Sequence, residues 1–84
     1  MNQAQIKFPC RWEFVVIVEQ GFYADDERDT KAFLQSYPES SVSAGNASGS
    51  KYRSLRAGCL VSNREEVEVI NAFFRSLPGF RMML

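Results

Sequence analysis

The stretch KYRSLRAGCLVSNREEVEVINAFFRSLPGFRMML, residues 51–84, decides the fold because it contains the signals of a strand, a helix and a second strand. Over residues 51–61, apolar side chains alternate with mostly polar ones, and this period of two predicts a strand with one buried and one open face. The apolar residues that follow recur at helical spacing: Val67, Ile70, Phe73, Phe74 and Leu77. A strand therefore leads directly into an amphipathic helix.

The ends of this helix carry their own signals. Ser62 and Glu65 have the spacing of a capping box, which predicts Ser62 as the N-cap residue. Pro78-Gly79 ends the helix, because proline lacks an N–H donor and glycine permits a left-handed turn. The last five residues, FRMML, predict a final strand in which Met83 lies on the face away from the helices.

The first half of the chain repeats this pattern less clearly. WEFVVIV, residues 12–18, is rich in β-branched and aromatic residues and predicts a largely buried strand. A helix is predicted from Asp25 to Tyr37, with solvated acidic residues at the positive end of its dipole and Pro38 after its last turn. ESSVSA, residues 39–44, predicts a short polar strand at the edge of a sheet.

The predicted order of elements is β-α-β-β-α-β. Two right-handed β-α-β units, split and interleaved, give a four-stranded antiparallel sheet in the order 4-1-3-2 with both helices on one face. We therefore predict an α+β fold, the ferredoxin-like plait, that occupies residues 1–84 as a single domain. Residues 1–7 are expected to be flexible, and residues 45–50, in the Gly/Ser-rich part of AGNASGSKYRSL, to form a mobile hairpin loop.

The composition argues against several classes of function. Ten basic and ten acidic residues cancel, so no global field attracts nucleic acid or an anionic membrane. Two cysteines without any histidine or C-x-x-C motif leave metal sites and histidine-activated thiols without partners, and no cofactor is expected. The N-terminus lacks an apolar signal region, and no run approaches the roughly 20 apolar residues of a membrane span. We expect a cytoplasmic protein that is not an enzyme.

Several segments resemble a known family. FPCRWEFVVI (residues 8–17), SKYRSL (residues 50–55), VSNREEVEVINAF (residues 61–73) and LPGFRMML (residues 77–84) resemble the YbeD-like family of small uncharacterised proteins. The resemblance implies a ferredoxin-like domain that is similar to ACT domains, which regulate enzymes of amino-acid metabolism. It implies no catalytic residues.

The face of the predicted sheet away from the helices is the main candidate site. Alternate residues of three neighbouring strands lie there and form an apolar patch with polar neighbours. The side chains predicted on this face are Val15, Ile17, Tyr52, Arg56, Leu60 and Met83. Apolar residues on an uncovered sheet face favour contact with a protein partner or with a second copy of the chain.

A second candidate site is the turn after the first strand, at Gln20 and Gly21. Glycine there suits a ligand turn of the ACT type, in which backbone groups hold a small amino-acid-type ligand. The same Gln-Gly pair, followed by Arg28, is similar to the phosphate loop of acylphosphatases. The acidic residues around Arg28 oppose that function, because a phosphate site needs net positive charge at short range. A non-catalytic regulatory or protein-interaction module that acts through the open face or the edges of the sheet is therefore the leading hypothesis. A small-ligand sensor is the second and an acylphosphatase-like hydrolase the third.

Overall fold

The computed structural model describes residues 7–48 and 51–84 of the chain. Within these residues the helices and strands follow the predicted order: β1 (Cys10–Glu19), α1 (Tyr23–Leu34), β2 (Ser41–Ser48), β3 (Tyr52–Val61), α2 (Arg64–Arg75) and β4 (Phe80–Met83). A short 3-10 turn, Gln20–Phe22, joins β1 to α1. The flexibility expected for residues 1–7 concerns, apart from Lys7, a segment outside the described residues.

The strands form one antiparallel sheet in the order β2-β3-β1-β4, which confirms the predicted order. β1 and β3 lie in the centre and pair along their whole length, from Cys10 opposite Val61 to Glu19 opposite Tyr52. Their β-branched and aromatic residues suit this half-buried central position. Each of the two central strands therefore has one face toward the core and one face that the helices leave open.

β2 is longer than predicted. The sequence predicts a loop over residues 45–48, whereas the structure continues the strand through Ser48, with an irregularity in its pairing to β3 between Ala44 and Ala47. Gly45 lies in this bulge, where an added Cβ would come within 2.5 Å of the Ser54 Cβ. Glycine and polar residues suit a bulged edge strand as well as a loop, which explains the error. The rest of the predicted loop, residues 49–50, lies outside the described residues.

The core lies between one face of the sheet and both helices. It combines alternate residues of the central strands with the apolar faces of the helices, including Phe14, Val16, Val18, Leu34, Leu55, Ala57, Cys59, Val61, Val67, Ile70 and Phe74. The alternation read from residues 51–61 is thereby confirmed, since Leu55, Ala57, Cys59 and Val61 are all buried. Burial of this set on one side leaves the other face of the sheet uncovered by α1 and α2.

Helix α2 begins one residue later than predicted. Its N-cap is Asn63, whose Oδ1 accepts the Glu66 N–H at 2.9 Å. Glu66 in turn accepts the Ser62 N–H through Oε1 at 2.6 Å. Serine and asparagine cap helices about equally well, and acidic residues stand at both 65 and 66, so the capping signal fits two registers.

Helix α1 begins and ends earlier than predicted, and its first turn is partly buried. Asp26 is 0% exposed, in contrast to the solvated acidic helix start that the sequence indicated. Its Oδ2 accepts the Gly79 N–H at 3.1 Å, and its carbonyl oxygen accepts the Thr30 hydroxyl at 2.7 Å. The Asp26 side chain therefore ties the start of α1 to the turn between α2 and β4.

This buried carboxyl makes stability depend on pH. Burial raises the pKa of Asp26, Asp29 and Asp25 raise it further, and the hydrogen bond from Gly79 opposes the increase. Because the pKa is higher in the folded than in the unfolded state, the folded state binds more protons. The contribution of this carboxyl to stability therefore falls as the pH rises above about 4.

For Asp26→Asn, we expect the free energy of unfolding, relative to that of the wild type, to increase from about pH 4 upward and to level off above the raised pKa of Asp26. Urea denaturation between about pH 4 and pH 8 measures this difference. Glu68→Gln, which neutralises an exposed carboxylate on α2, is the control. Parallel pH profiles for the wild type and Asp26→Asn would contradict the prediction.

Candidate functional site

The open face is the face of the sheet opposite the helices, and its centre lies on β1 and β3. In their register, Val15 lies opposite Arg56 and Ile17 opposite Ser54. Val15 and Ile17 are half-buried and Arg56 is exposed. The structure thus places three of the six residues predicted for this face side by side.

Met83 does not lie on the open face. It pairs with Val16, which faces the core, and it packs against the core itself. Its neighbour Met82 pairs with Ile17, and the register then shifts, which leaves Arg81 as an extra residue in β4. This bulge reverses the alternation along the strand, so the prediction for Met83 is wrong and Met82, 52% exposed, occupies the open face instead.

Side chains from three strands form a depression on this face, which we call the open-face pocket. It has a volume of about 330 Å³ and is lined by Ile17, Tyr52, Arg81 and Met82. The Arg81 guanidinium carbon lies 5.8 Å from the centre of the Tyr52 ring, and Arg81 Nη1 lies 3.6 Å from Glu19 Oε2. The lining of the pocket is therefore largely apolar, with one cationic side chain.

Leu60 shares the open face but is separated from this cluster. It pairs with Arg11 near the end of the β1–β3 ladder. Arg11 Nε lies 2.8 Å from Glu13 Oε2, and a Cβ added to Gly58 would come within 2.8 Å of Arg11 and 2.9 Å of Glu13. The Arg11–Glu13 pair thus lies over Gly58 and divides Leu60 from Val15, so the predicted contiguous patch does not extend to Leu60.

Some of the arginines on the open face have an acidic partner and one does not, within the part of the chain that the structure describes. Arg11 has Glu13 as a partner, and Arg81 has Glu19. No carboxylate of residues 7–48 or 51–84 lies within ion-pair distance of Arg56. The remaining residues, 1–6 and 49–50, contain no aspartate or glutamate. An uncompensated positive charge therefore lies beside the apolar centre of the open face.

The second candidate site, Gln20 and Gly21, lies in the 3-10 turn between β1 and α1. The Gln20 N–H donates to the Lys51 carbonyl at 2.7 Å, so this backbone donor is already used within the chain. Gly21 is exposed, its φ lies outside the left-handed region, and an added Cβ would meet nothing within 4 Å. The left-handed backbone that favours glycine in a ligand turn is therefore not present at Gly21. Arg28 pairs with Asp25 at 3.0 Å on the exposed side of α1.

The cysteines and acidic residues form no site of their own. Cys59 is fully buried, and burial raises the pKa of its thiol. Cys10 is half-buried at the start of β1. Across residues 7–48 and 51–84, no group of three or more histidine, cysteine, aspartate or glutamate side chains is arranged to hold a metal ion.

The helices of this same part of the chain are too short and too polar to cross a membrane.

Comparison with known proteins identifies one family and two similar solved structures. The family described as "Protein of unknown function (DUF493)" matches residues 3–84. The chain is similar to a solution structure of the protein HP0495 from Helicobacter pylori, with a TM-score of 0.77 and 23% identity over 95% of this chain and 86% of that chain. A second solution structure of HP0495 has a TM-score of 0.65 and 23% identity, over 100% and 95% of the two chains. No functionally curated protein matches the chain.

Proposed function

Because the chain belongs to the DUF493 family of proteins of unknown function, in agreement with its YbeD-like sequence segments, we propose its function from its geometry. The protein is a non-catalytic module that binds a protein partner through the open face of its sheet. The observation that carries the proposal is the clustering of apolar side chains from three strands on a face that neither helix covers. We call Val15, Ile17, Tyr52 and Met82 the apolar patch.

The composition of the apolar patch supports protein binding. Tyrosine, methionine and arginine are enriched in the cores of protein interfaces, and Tyr52, Met82 and Arg81 meet at the open-face pocket. Met82 is 52% exposed although it is large and apolar. A partner that covers it gains about 25 cal/mol for each Å² of apolar surface removed from water.

The edges of the sheet are less suited to a partner than its face. Addition of a strand needs a regular edge with free N–H and C=O groups. β2 has a bulge between Ala44 and Ala47, and β4 spans only Phe80–Met83 with a bulge of its own. Short and bulged edge strands discourage pairing with another chain. These features favour the open face as the binding surface.

Ile17→Lys tests the proposal because it puts a charge in the middle of the apolar patch without entering the core. We expect it to reduce partner binding at least about tenfold, since a partner would have to bury an unpaired ammonium group. Val69→Lys is the matched control, because Val69 is 54% exposed on α2, away from the sheet. Affinity capture from the native cell, followed by quantitative mass spectrometry, measures the binding of each folded variant.

A partner retained by the wild type and Val69→Lys, and lost with Ile17→Lys, would support the proposal. Equal retention by all three proteins, or capture no greater than that of the affinity tag alone, would reject it. Circular dichroism and urea denaturation verify that both variants are folded.

A small-ligand sensor is the second candidate function. The open-face pocket favours it, because about 330 Å³ falls in the range of roughly 300–1,000 Å³ that small-molecule sites occupy. We therefore propose that the candidate ligand would bind against Ile17 and Tyr52 and not at Gly21. A rise in Tm with a free amino acid that Ile17→Lys abolishes would favour the sensor over the interaction module.

A further inference from the structure

We infer that the partner contacts the open face through an extended acidic segment. A carboxylate of this segment pairs with Arg56, and an apolar side chain two residues away along the segment enters the open-face pocket. The inference rests on the proposed function and specifies the chemistry of the partner.

Charge complementarity carries the first part of the inference. The other two arginines of the open face, Arg11 and Arg81, each have a glutamate partner, whereas Arg56 has none within the described part of the chain. Arg56 lies opposite Val15, so a partner that covers the apolar patch also removes water from this guanidinium. Burial of an unpaired charge is costly, and a carboxylate offsets that cost with two parallel hydrogen bonds.

The strand register carries the second part. Val15 lies opposite Arg56, and Ile17, which lines the pocket, lies opposite Ser54. Arg56 and the row that contains Ile17 are therefore two strand positions apart, about 7 Å. In an extended peptide, side chains at i and i+2 point to the same side with this same spacing. A segment with an acidic residue two positions from an apolar one matches both features.

A second copy of the chain matches the open face less well. A two-fold packing of this face on itself brings together identical sets of charges, with Arg11, Arg56 and Arg81 against Glu13 and Glu19 in each copy. One positive charge per copy then lacks a counterpart. An acidic segment supplies that counterpart, and for this reason the inference names it as the occupant.

Selection of a random peptide library, displayed on phage, against the folded wild-type protein tests the inference. We expect the enriched peptides to carry aspartate or glutamate two positions from phenylalanine, leucine, isoleucine or methionine. Fluorescence anisotropy with a synthetic copy of the most enriched peptide then gives its Kd. Arg56→Glu should raise this Kd at least about tenfold. Arg75→Glu, the same charge change on the exposed last turn of α2, should leave it unchanged.

A charge exchange makes the test specific to the contact. Replacement of the acidic residue of the peptide by lysine should weaken binding to the wild type and restore binding to Arg56→Glu. No enrichment, enriched peptides without an acidic residue, or equal losses with Arg56→Glu and Arg75→Glu would overturn the inference. A concentration-dependent dimer that Ile17→Lys dissociates, observed by sedimentation, would assign the face to a second copy and would overturn it as well.

The two proposals fail separately. Capture of a cellular partner that is lost with Ile17→Lys but retained with Arg56→Glu would reject the acidic segment and leave the interaction module standing. Insensitivity of capture to both substitutions would reject both proposals.

Discussion

Phe74→Ala is expected to lower the free energy of unfolding by about 3–5 kcal/mol. Phe74 is 0% exposed, and its ring centre lies 5.4 Å from that of Phe14 and 5.6 Å from that of Phe73. The substitution removes the contacts of this ring with Phe14 and Phe73 and leaves a cavity that rigid neighbours fill only in part. A chain of 84 residues buries too little surface to absorb such a loss easily, because the whole stability of a domain is about 5–15 kcal/mol.

Urea denaturation at constant pH measures this loss, and Val69→Ala is the control on the same helix. Val69 is 54% exposed, so its truncation should change the free energy of unfolding by less than about 0.5 kcal/mol. Similar small effects of the two substitutions would show that α2 does not depend on Phe74 for its attachment to the sheet. Loss of the Phe74 ring should also affect the candidate site. Phe74 contacts Phe14, and Phe14 is the chain neighbour of Val15 on the opposite face of β1.

Gly79→Ala is expected to destabilise the protein by about 1–3 kcal/mol through overpacking. An added Cβ would lie 2.5 Å from Asp26 Oδ2 and 2.6 Å from Phe22 Cβ, and both distances are shorter than contacts that a Cβ atom makes in proteins. The φ of Gly79 lies outside the left-handed region, so this glycine is required for the close approach of Asp26 and not for the left-handed turn that the sequence indicated. Displacement of Asp26 would also weaken its hydrogen bond to the Gly79 N–H.

Gly21→Ala is the matched control for this substitution. No atom lies within 4 Å of the added Cβ, and the backbone at Gly21 is not left-handed. The loss of conformational freedom in the unfolded chain should therefore leave stability unchanged or increase it by up to about 1 kcal/mol. Chemical denaturation of the two variants in parallel gives the comparison, and equal effects at both positions would contradict the importance of the Asp26–Gly79 contact. Gly79 immediately precedes β4, so its substitution should also disturb Arg81 and Met82 in the open-face pocket.

The regular elements were predictable because their signals are local. The alternation from Leu55 to Val61 and the helical spacing from Val67 to Phe74 each appear within about a dozen residues, and both were confirmed. The strand order also followed, since right-handed β-α-β connections allow few arrangements of these elements. The alternation of side chains along β1 and β3 was enough to predict that Val15, Ile17 and Arg56 share the open face.

The errors at Asp26 and Leu60 depend on contacts between distant parts of the chain. The sequence around Asp26 is that of an ordinary acidic helix start. Asp26 is buried because the turn at Gly79, which is distant in the chain, packs against it. Leu60 matched the parity of the open face, but the Arg11–Glu13 pair separates it from the apolar patch.

The sequence by itself determined the order of the helices and strands and the open face of the two central strands, because these follow from residue types and short-range periodicity. Only the tertiary structure decided that Met82, and not Met83, joins Ile17 on that face, because the bulge at Arg81 arises from the way β4 pairs with β1. It also decided that Arg56 lacks a carboxylate partner within the described residues, because the reach of Glu13 and Glu19 depends on the packing of the sheet. The candidate site is therefore a product of strand register, which side-chain periodicity alone does not specify.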